Sequence, residues 1–331
     1  MLRIGLTGGI AAGKSVVARR LADRGAVLVD SDVLARAAVA PGTDGLAAVV
    51  AAFGPEVLDA DGSLDRPALG RLVFADPAAR ERLNAVVHPR VRTAATALID
   101  DAPEGAVVVE DIPLLVETGQ ATRFHLVVVV DAPDTLRIDR MVDRRGMERG
   151  DAERRIAAQA SRHDRLRAAD AVLVNDRGVE ELLAATDTLW ETRILPFRDN
   201  LAGGRPADRG VARPTAGLAG TLGLPDRVRA RLDAVLPPGC RVLPEEGPQV
   251  APGAAREDAR DDVRQDQVRA AVRVVVPPAA DPAAASDAVT RAGFPPDGPT
   301  GAGGTPSTAS HRAADPAVDV TVTVVPGPAS P

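Results

Sequence analysis

Gly8-Gly9-Ile10-Ala11-Ala12-Gly13-Lys14-Ser15 decides how this 331-residue chain is read. The eight residues match G-x-x-x-x-G-K-[ST], a phosphate-binding loop. Leu2-Arg3-Ile4-Gly5-Leu6-Thr7 before them reads as a short buried strand, and residues 16–22, from Val16 on, as a helix. The motif needs that strand–loop–helix setting, because glycines let the backbone wrap a phosphate without Cβ clashes. Successive N–H groups and the helix N-terminus then present positive potential to the anion. Lys14 would reach the β- and γ-phosphates of a nucleotide, and the Ser15 hydroxyl would take a place on Mg2+. Lys14 is also the only lysine among 40 Lys and Arg residues; all the others are arginine. Lysine at that one position fits a need for a compact point charge.

Composition narrows the classes. Hydrophobic residues make up 45% of the chain, ample for a core. With five Phe, one Trp and no Tyr, the chain lacks the stacking platforms of single-strand nucleic-acid binders. A net charge of −6 also argues against a general nucleic-acid partner. The single cysteine, Cys240, excludes an internal disulfide framework and a cysteine-based zinc cluster. No apolar run reaches the length of a membrane span. The first strand begins at Leu2, which leaves no room for a leader, so the expectation is a cytoplasmic protein without a membrane partner.

Through the first 200 residues, apolar runs alternate with helical patterns. Strands are expected at 26–29, 106–109, 126–130 and 171–174, besides the one before the loop. Helices are expected at 33–39, at 45–53, and up to about 99 with Pro89 a candidate break. Others follow at 134–144, onward to about 166, and at 179–195. Strands alternating with helices imply a parallel sheet covered on both faces. After about residue 201 the character changes. Nineteen of the 28 prolines and fifteen of the 30 glycines fall there, near the level of low-complexity chain. Residues 297–310 are almost all Gly, Pro, Ser, Thr and Ala, too poor in apolar surface to order themselves. Three islands read as structured: a helix at 226–236 and strands at 270–276 and 318–325. The expected organisation is a P-loop domain over 1–200 and a Pro/Gly-rich, partly disordered extension over 201–331.

A P-loop specifies nucleotide binding, not a reaction. Asp30-Ser31-Asp32 ends the second strand, and the carboxyl ends of parallel strands border the ligand crevice. A kinase acting on an alcohol needs a carboxylate beside the hydroxyl, to orient it and take its proton. Asp32 is assigned that role, and Asp30 the competing one, a helix cap or a Mg2+ contact through water. Ten arginines lie between Arg137 and Arg167. They suggest a lid whose guanidinium groups neutralise a transferring phosphoryl. Arg140 stands out, and after it Arg144.

At this point five blocks carry a specific resemblance. GLTGGIAAGKS, VDSDVLAR (Val29–Arg36), LNAVVHP (Leu83–Pro89), PLLVE (Pro113–Glu117) and AAQASR (Ala157–Arg162) are similar, in order and spacing, to those of dephospho-coenzyme A kinases. The resemblance covers residues 1 to about 200. It implies an α/β, adenylate-kinase-like P-loop kinase of three layers, with a five-stranded parallel sheet and helical acceptor and lid regions. It implies ATP-dependent phosphorylation of the ribose 3′-hydroxyl of dephospho-CoA, the last step of coenzyme A synthesis, with ATP and Mg2+ as cofactors. Monomer and trimer both stay open. Residue by residue, it makes Asp32 the acceptor-site aspartate, Lys14 the P-loop lysine and Arg140 the lid arginine on the ATP phosphates. Gly8, Gly9, Ala11, Ala12, Gly13, Ser15, Val16, Arg144 and Asn175 fall on the nucleotide side. His88, Pro113 and Leu114 fall on the acceptor side, with a packed or capping role equally open for His88. Glu110-Asp111 has the look of a Walker B pair but carries little weight. Ala11 stands where many members of the family have glycine; a positive φ there would cost an alanine about 1 kcal/mol or more.

Residues 271–295 and 311–325 show a faint likeness to the GrpB-like domain of actinobacterial members, without its G-S-T-[AS] signature. A degenerate extension is the resulting expectation. Rival readings are another small-molecule P-loop kinase, a P-loop switch NTPase and a pseudoenzyme scaffold. The first lacks a reason for LNAVVHP and PLLVE, the second has no use for Asp32, and the third has none for Lys14, Ser15, Asp32 and Arg140 together.

Overall fold

Valine runs build the centre of the molecule. In the computed structural model, which describes residues 1–208, 224–244, 269–298 and 308–327, five strands form one parallel sheet: β1 (Leu2–Gly8), β2 (Val27–Asp30), β3 (Val107–Asp111), β4 (Leu126–Asp131) and β5 (Ala171–Val174). Their order is β2-β3-β1-β4-β5, and every neighbouring pair is parallel. All residues of β3 and β4 are buried. Alternate β4 residues enter opposite cores: Leu126, Val128 and Val130 on one face, Val127 and Val129 on the other. That is why these strands read as unbroken apolar runs rather than as alternating ones.

On the first face lie α1 (Lys14–Asp23) and α9 (Val179–Leu189), which contact each other. After α9 a π-helical turn, Trp190–Ile194, leads into α10 (Leu195–Ala202), so the helical run passes the expected end at 195. Between β2 and β3 a helical region has its own core around Val49, Phe53, Val57 and Leu69. It contains α2 (Ser31–Ala38), α3 (Asp44–Phe53), α4 (Arg66–Ala75) and α5 (Pro77–Asp100). Pro89 does not break α5. One residue on, the Arg90 guanidinium donates to the Val86 carbonyl at 2.7 Å. Between β4 and β5 come α6 (Asp134–Arg145), α7 (Arg149–Ala157) and α8 (Arg162–Ala168). The sequence pattern led to one helix up to about 166. The structure divides it at residues 158–161, where Ser161 caps α8 through Asp164 N at 3.1 Å.

A second, four-stranded sheet follows: β6 (Arg241–Pro244), β7 (Arg269–Val276), β8 (Ala309–Arg312) and β9 (Asp319–Pro326), in the order β6-β7-β9-β8. Only β7 and β9 pair in parallel. Along β9, Val320, Val322 and Val324 point inward in strict alternation, as a sheet with one covered face requires. Helices α11 (Leu224–Asp233) and α12 (Pro282–Arg291) pack on it. The three expected islands coincide with α11, β7 and β9. Of the stretch 297–310, residues 299–307 lie outside the described residues, and Ala309 and Ser310 belong to β8. Inside this unit His311 is satisfied at both nitrogens, by the Phe294 carbonyl and the Ser286 hydroxyl, each at 2.9 Å.

This unit docks where the parallel strands begin. His125, just before β4, contacts the Arg291 carbonyl of α12 at 2.9 Å. Asp170, just before β5, pairs with Arg227 and Arg231 of α11. Arg193, fully buried in the π turn, makes a two-pronged pair with Asp315. Among the described residues, none of these contacts lies at the carboxyl ends of the strands. Among the described residues, no helix is long and apolar enough to cross a membrane.

Candidate active site

The eight-residue loop joins β1 to α1 at the carboxyl edge of the sheet. Gly13 precedes α1 at φ 104°, left-handed backbone that a side chain resists. A Cβ on it would meet the Asn175 amide at 2.3 Å. Ala11 has φ 60° and is the one non-glycine with positive φ among the described residues. The position does require the left-handed region, as its glycine-favouring character implied. Gly9 lies against the Arg137 guanidinium, 2.4 Å from where its Cβ would be. Gly8 closes β1 against the Val130 carbonyl, and Ala12 is buried.

Neighbouring elements hold the loop in shape through its outward carbonyls. Arg137 of α6, buried despite its charge, donates from Nε to the Ile10 carbonyl at 2.9 Å and from Nη1 to Asp134 at 2.6 Å. Arg140, one turn on, donates to the Ala11 carbonyl at 3.3 Å and to the Asn175 carbonyl and side-chain oxygen at 3.0 Å. Asn175 in turn donates to the Ala12 carbonyl at 2.7 Å. With these carbonyls taken from outside, the loop amides that have no such partner remain available to an anion. Burial, then the nearby Arg144, lowers the pKa of Arg140; a guanidinium stays charged regardless. Arg144 itself is exposed.

Lys14 and Ser15 open α1, with Ser15 exposed. The Lys14 ammonium contacts Asp111 Oδ1. Asp111 ends β3 and is buried. Burial pushes its carboxyl above the usual carboxylate range; Lys14 opposes that, while Asp30 and Asp32 add to it. Four charged groups therefore converge between β1, β2 and β3. Glu110, the other half of the acidic pair, turns away and pairs with Arg3 and Arg123. Adjacent residues on a strand face opposite sides, so the pair cannot act as one unit.

Asp30 and Asp32 divide as two different groups. Asp30 Oδ1 accepts from Asp32 N at 2.9 Å and Val33 N at 3.0 Å, capping α2. Asp32 is exposed in the first turn of α2. Pro113 follows β3, and its carbonyl accepts from Thr7 at 3.3 Å; Leu114 beside it is exposed. His88 is exposed on α5, the helix against which α2 packs. Thus the loop residues, Asp30, Asp32, Arg140 and Asn175 meet at one edge, with Pro113 at its border and His88 on the adjoining helix. The sequence places Arg137 only among the lid arginines and Gln159 only within AAQASR, with no specific contact for either. The signal for Arg137 is Gly9, whose missing Cβ leaves room for the guanidinium.

The dephospho-CoA kinase family model matches residues 2–181. A dephospho-CoA kinase of Mycolicibacterium paratuberculosis is 54% identical over 202 residues, 61% of this chain and 50% of that protein. One of Streptomyces avermitilis is 55% identical over 190 residues, 57% of this chain and 93% of that protein. The matched region thus spans about half the length of the mycobacterial relative and nearly all of the streptomycete one. A solved Thermus thermophilus protein is similar in fold with a TM-score of 0.50 and 37% identity, covering 57% of this chain and 97% of its own.

Proposed function

The chain belongs to the dephospho-CoA kinase family, and from that premise we propose that it moves the γ-phosphoryl group of ATP onto the ribose 3′-hydroxyl of dephospho-CoA, releasing CoA and ADP. The hydroxyl oxygen attacks phosphorus, the bond to the β,γ-bridging oxygen breaks, and the hydroxyl proton passes to a carboxylate. Asp32 is that carboxylate. The observation that carries the reading is the contrast with Asp30: the Asp30 carboxylate serves as the α2 cap, while Asp32 is exposed and close enough to Asp111 to raise its carboxyl. The loop amides other than those of Ile10 and Ala12, which are bonded to Gln159 and to the Gly9 carbonyl, cradle the phosphates, Lys14 neutralises the β- and γ-phosphates, and Arg140 adds charge from α6. His88, Pro113 and Leu114 border the acceptor.

Mg2+ suits this donor set. A hard cation carried by a nucleotide takes few protein oxygens; the Ser15 hydroxyl would supply one, and Asp30 or Asp111 could hold a water on it. Such a cation would supply neutralisation of phosphate charge.

The first test is ADP release from Mg2+-ATP with and without dephospho-CoA. Strong stimulation with equimolar CoA is expected; stimulation by a nucleoside instead, or by no acceptor at all, overturns the substrate assignment. Lys14→Ala should abolish turnover. Asp32→Asn should keep ATP affinity and lose kcat by about 100-fold or more, since only proton handling in the transition state is removed. A collapse of ATP affinity in Asp32→Asn would make Asp32 a metal or structural residue.

A further inference from the structure

The break between α7 and α8 sits at the centre of the carboxyl edge. Gln159, in this break, accepts at Oε1 from the Ile10 backbone N–H at 2.9 Å and from Arg137 Nη2 at 2.9 Å. Ile10 belongs to the phosphate loop, and its carbonyl is already held by Arg137, so the two peptide units on either side of Ile10 are both tied down. The next residue faces the other way: the Ala160 N–H donates to Glu117 Oε1 at 2.8 Å. Glu117 closes the PLLVE turn after β3, on the acceptor side. Arg165, buried in α8, donates to the Ala160 carbonyl. Arg162 grips Asp131 at the end of β4 with both Nε and Nη2. Within four residues, the break therefore joins the ends of β1, β3 and β4.

We infer that residues 159–162 form a brace that sets the phosphate-donor loop against the acceptor loop, with Gln159 and Glu117 as positioning residues. The inference deepens the phosphotransfer reading and rests on it for its catalytic consequence. In-line transfer tolerates little error between donor phosphorus and acceptor oxygen, and a misplacement of about 1 Å costs on the order of 100-fold in rate. Neither loop alone fixes that distance. Gln159 holds the donor loop and Glu117 the acceptor loop, and one rigid peptide segment separates them. Glutamine suits the task because its carbonyl oxygen can accept from a backbone N–H and a guanidinium together. The amide chemistry of the P-loop explains why an outside acceptor is useful at Ile10: an N–H tied to Gln159 cannot wander when the phosphates leave.

The distinguishing experiment uses the full chain and a residue that does not touch the phosphate loop. Hydrogen exchange over residues 8–15 is followed in the unaltered protein, Gln159→Ala, Gln159→Glu and Glu117→Ala. Gln159→Ala should exchange the Ile10 amide about fivefold faster, the worth of one neutral bond. The brace further requires Glu117→Ala to speed exchange in the same loop, and Gln159→Glu, which keeps the acceptor oxygen, to restore protection. In turnover with dephospho-CoA, both alanine variants should lose kcat by about tenfold or more while KM for ATP stays within about twofold. Unchanged exchange of residues 8–15 in Glu117→Ala overturns the brace. Absence of turnover with dephospho-CoA in the unaltered protein overturns the substrate reading instead, and leaves the exchange result to decide the brace.

Discussion

Ala11 carries the clearest strain in the chain. With φ 60°, its Cβ crowds the backbone in a region that glycine enters freely. The loop keeps that conformation because the Ala11 carbonyl is bound by Arg140 and its neighbours by Asn175 and Arg137. Local geometry is overruled by the contacts around it. Ala11→Gly should therefore stabilise the protein by about 0.5–1 kcal/mol, the relieved strain less the added freedom of the unfolded chain. A thermal melt without nucleotide measures it, and a lower melting temperature would mean the strain is absent. The same scale separates Asp30 from Asp32. Either aspartate could have been the cap on sequence grounds, and only the direction of the Asp30 side chain into the Asp32 and Val33 amides decides between them.

At the scale of elements, the start of β4 links the two sheets through a histidine. His125 Nδ1 accepts from the Arg3 backbone N–H at 3.0 Å, so Nε2 carries the proton toward the Arg291 carbonyl of α12. A second proton would have to enter at Nδ1, against Arg3 N–H. Burial, with the positive charges of Arg231, the N-terminus and Arg3, pushes His125 down to about 4 against the pull of the Arg291 carbonyl. The unfolded chain takes up this proton below its ordinary pKa of about 6.5, whereas the folded one does so only near 4. Stability thus falls as pH drops through that window, by on the order of 3 kcal/mol at its lower end. Urea midpoints between pH 7 and pH 4.5 should trace the loss. His125→Gln should be less stable at pH 7 and show a flatter slope; an unchanged slope would assign the loss to other groups. Asp170 does not share this window. Against burial, Arg231 and Arg227 hold its carboxyl below the usual range, so its own loss comes at more acid pH.

Over the whole molecule, two cores are joined by charge as well as by contact. Val272, Val274, Val320 and Val322 fill the second unit, separate from the core of the parallel sheet. Across the join, Arg193 is fully buried and Asp315 nearly so. Arg193 also donates to the Asp170 carbonyl at 2.7 Å, and the Ala207 N–H donates to the Ala313 carbonyl at 2.9 Å. Removing one member of a buried pair strands the other in low dielectric, at about 3–5 kcal/mol. Asp315→Ala should cost that much in urea unfolding, whereas Arg193→Met with Asp315→Leu should recover most of it. If the single variant costs under about 1 kcal/mol, water reaches Arg193 and the join is looser than its burial implies. The phosphate crevice lies at the opposite ends of the strands, so neither variant should shift KM for ATP.

The parallel sheet and the P-loop were legible in the sequence because each is a local signal, whereas the acceptor role of Asp32 is a proposal that rests on its place after β2. Buried β-branched runs mark strands, and the loop motif binds phosphate with backbone of its own. Asp32 is read from its place after β2, and the Lys14 role from its place in the motif. Tertiary structure alone decided the partners that lie far apart in the chain: Lys14 with Asp111, Gly9 with Arg137, Ile10 with Gln159, Arg193 with Asp315. It also divided the helical pattern before residue 166, because the Gln159 and Ala160 groups gain partners across the sheet edge that a continuous helix would deny them. Periodicity records what a residue does within its own element. Which distant group it meets depends on how strands of non-adjacent number become neighbours, and β1 lies between β3 and β4.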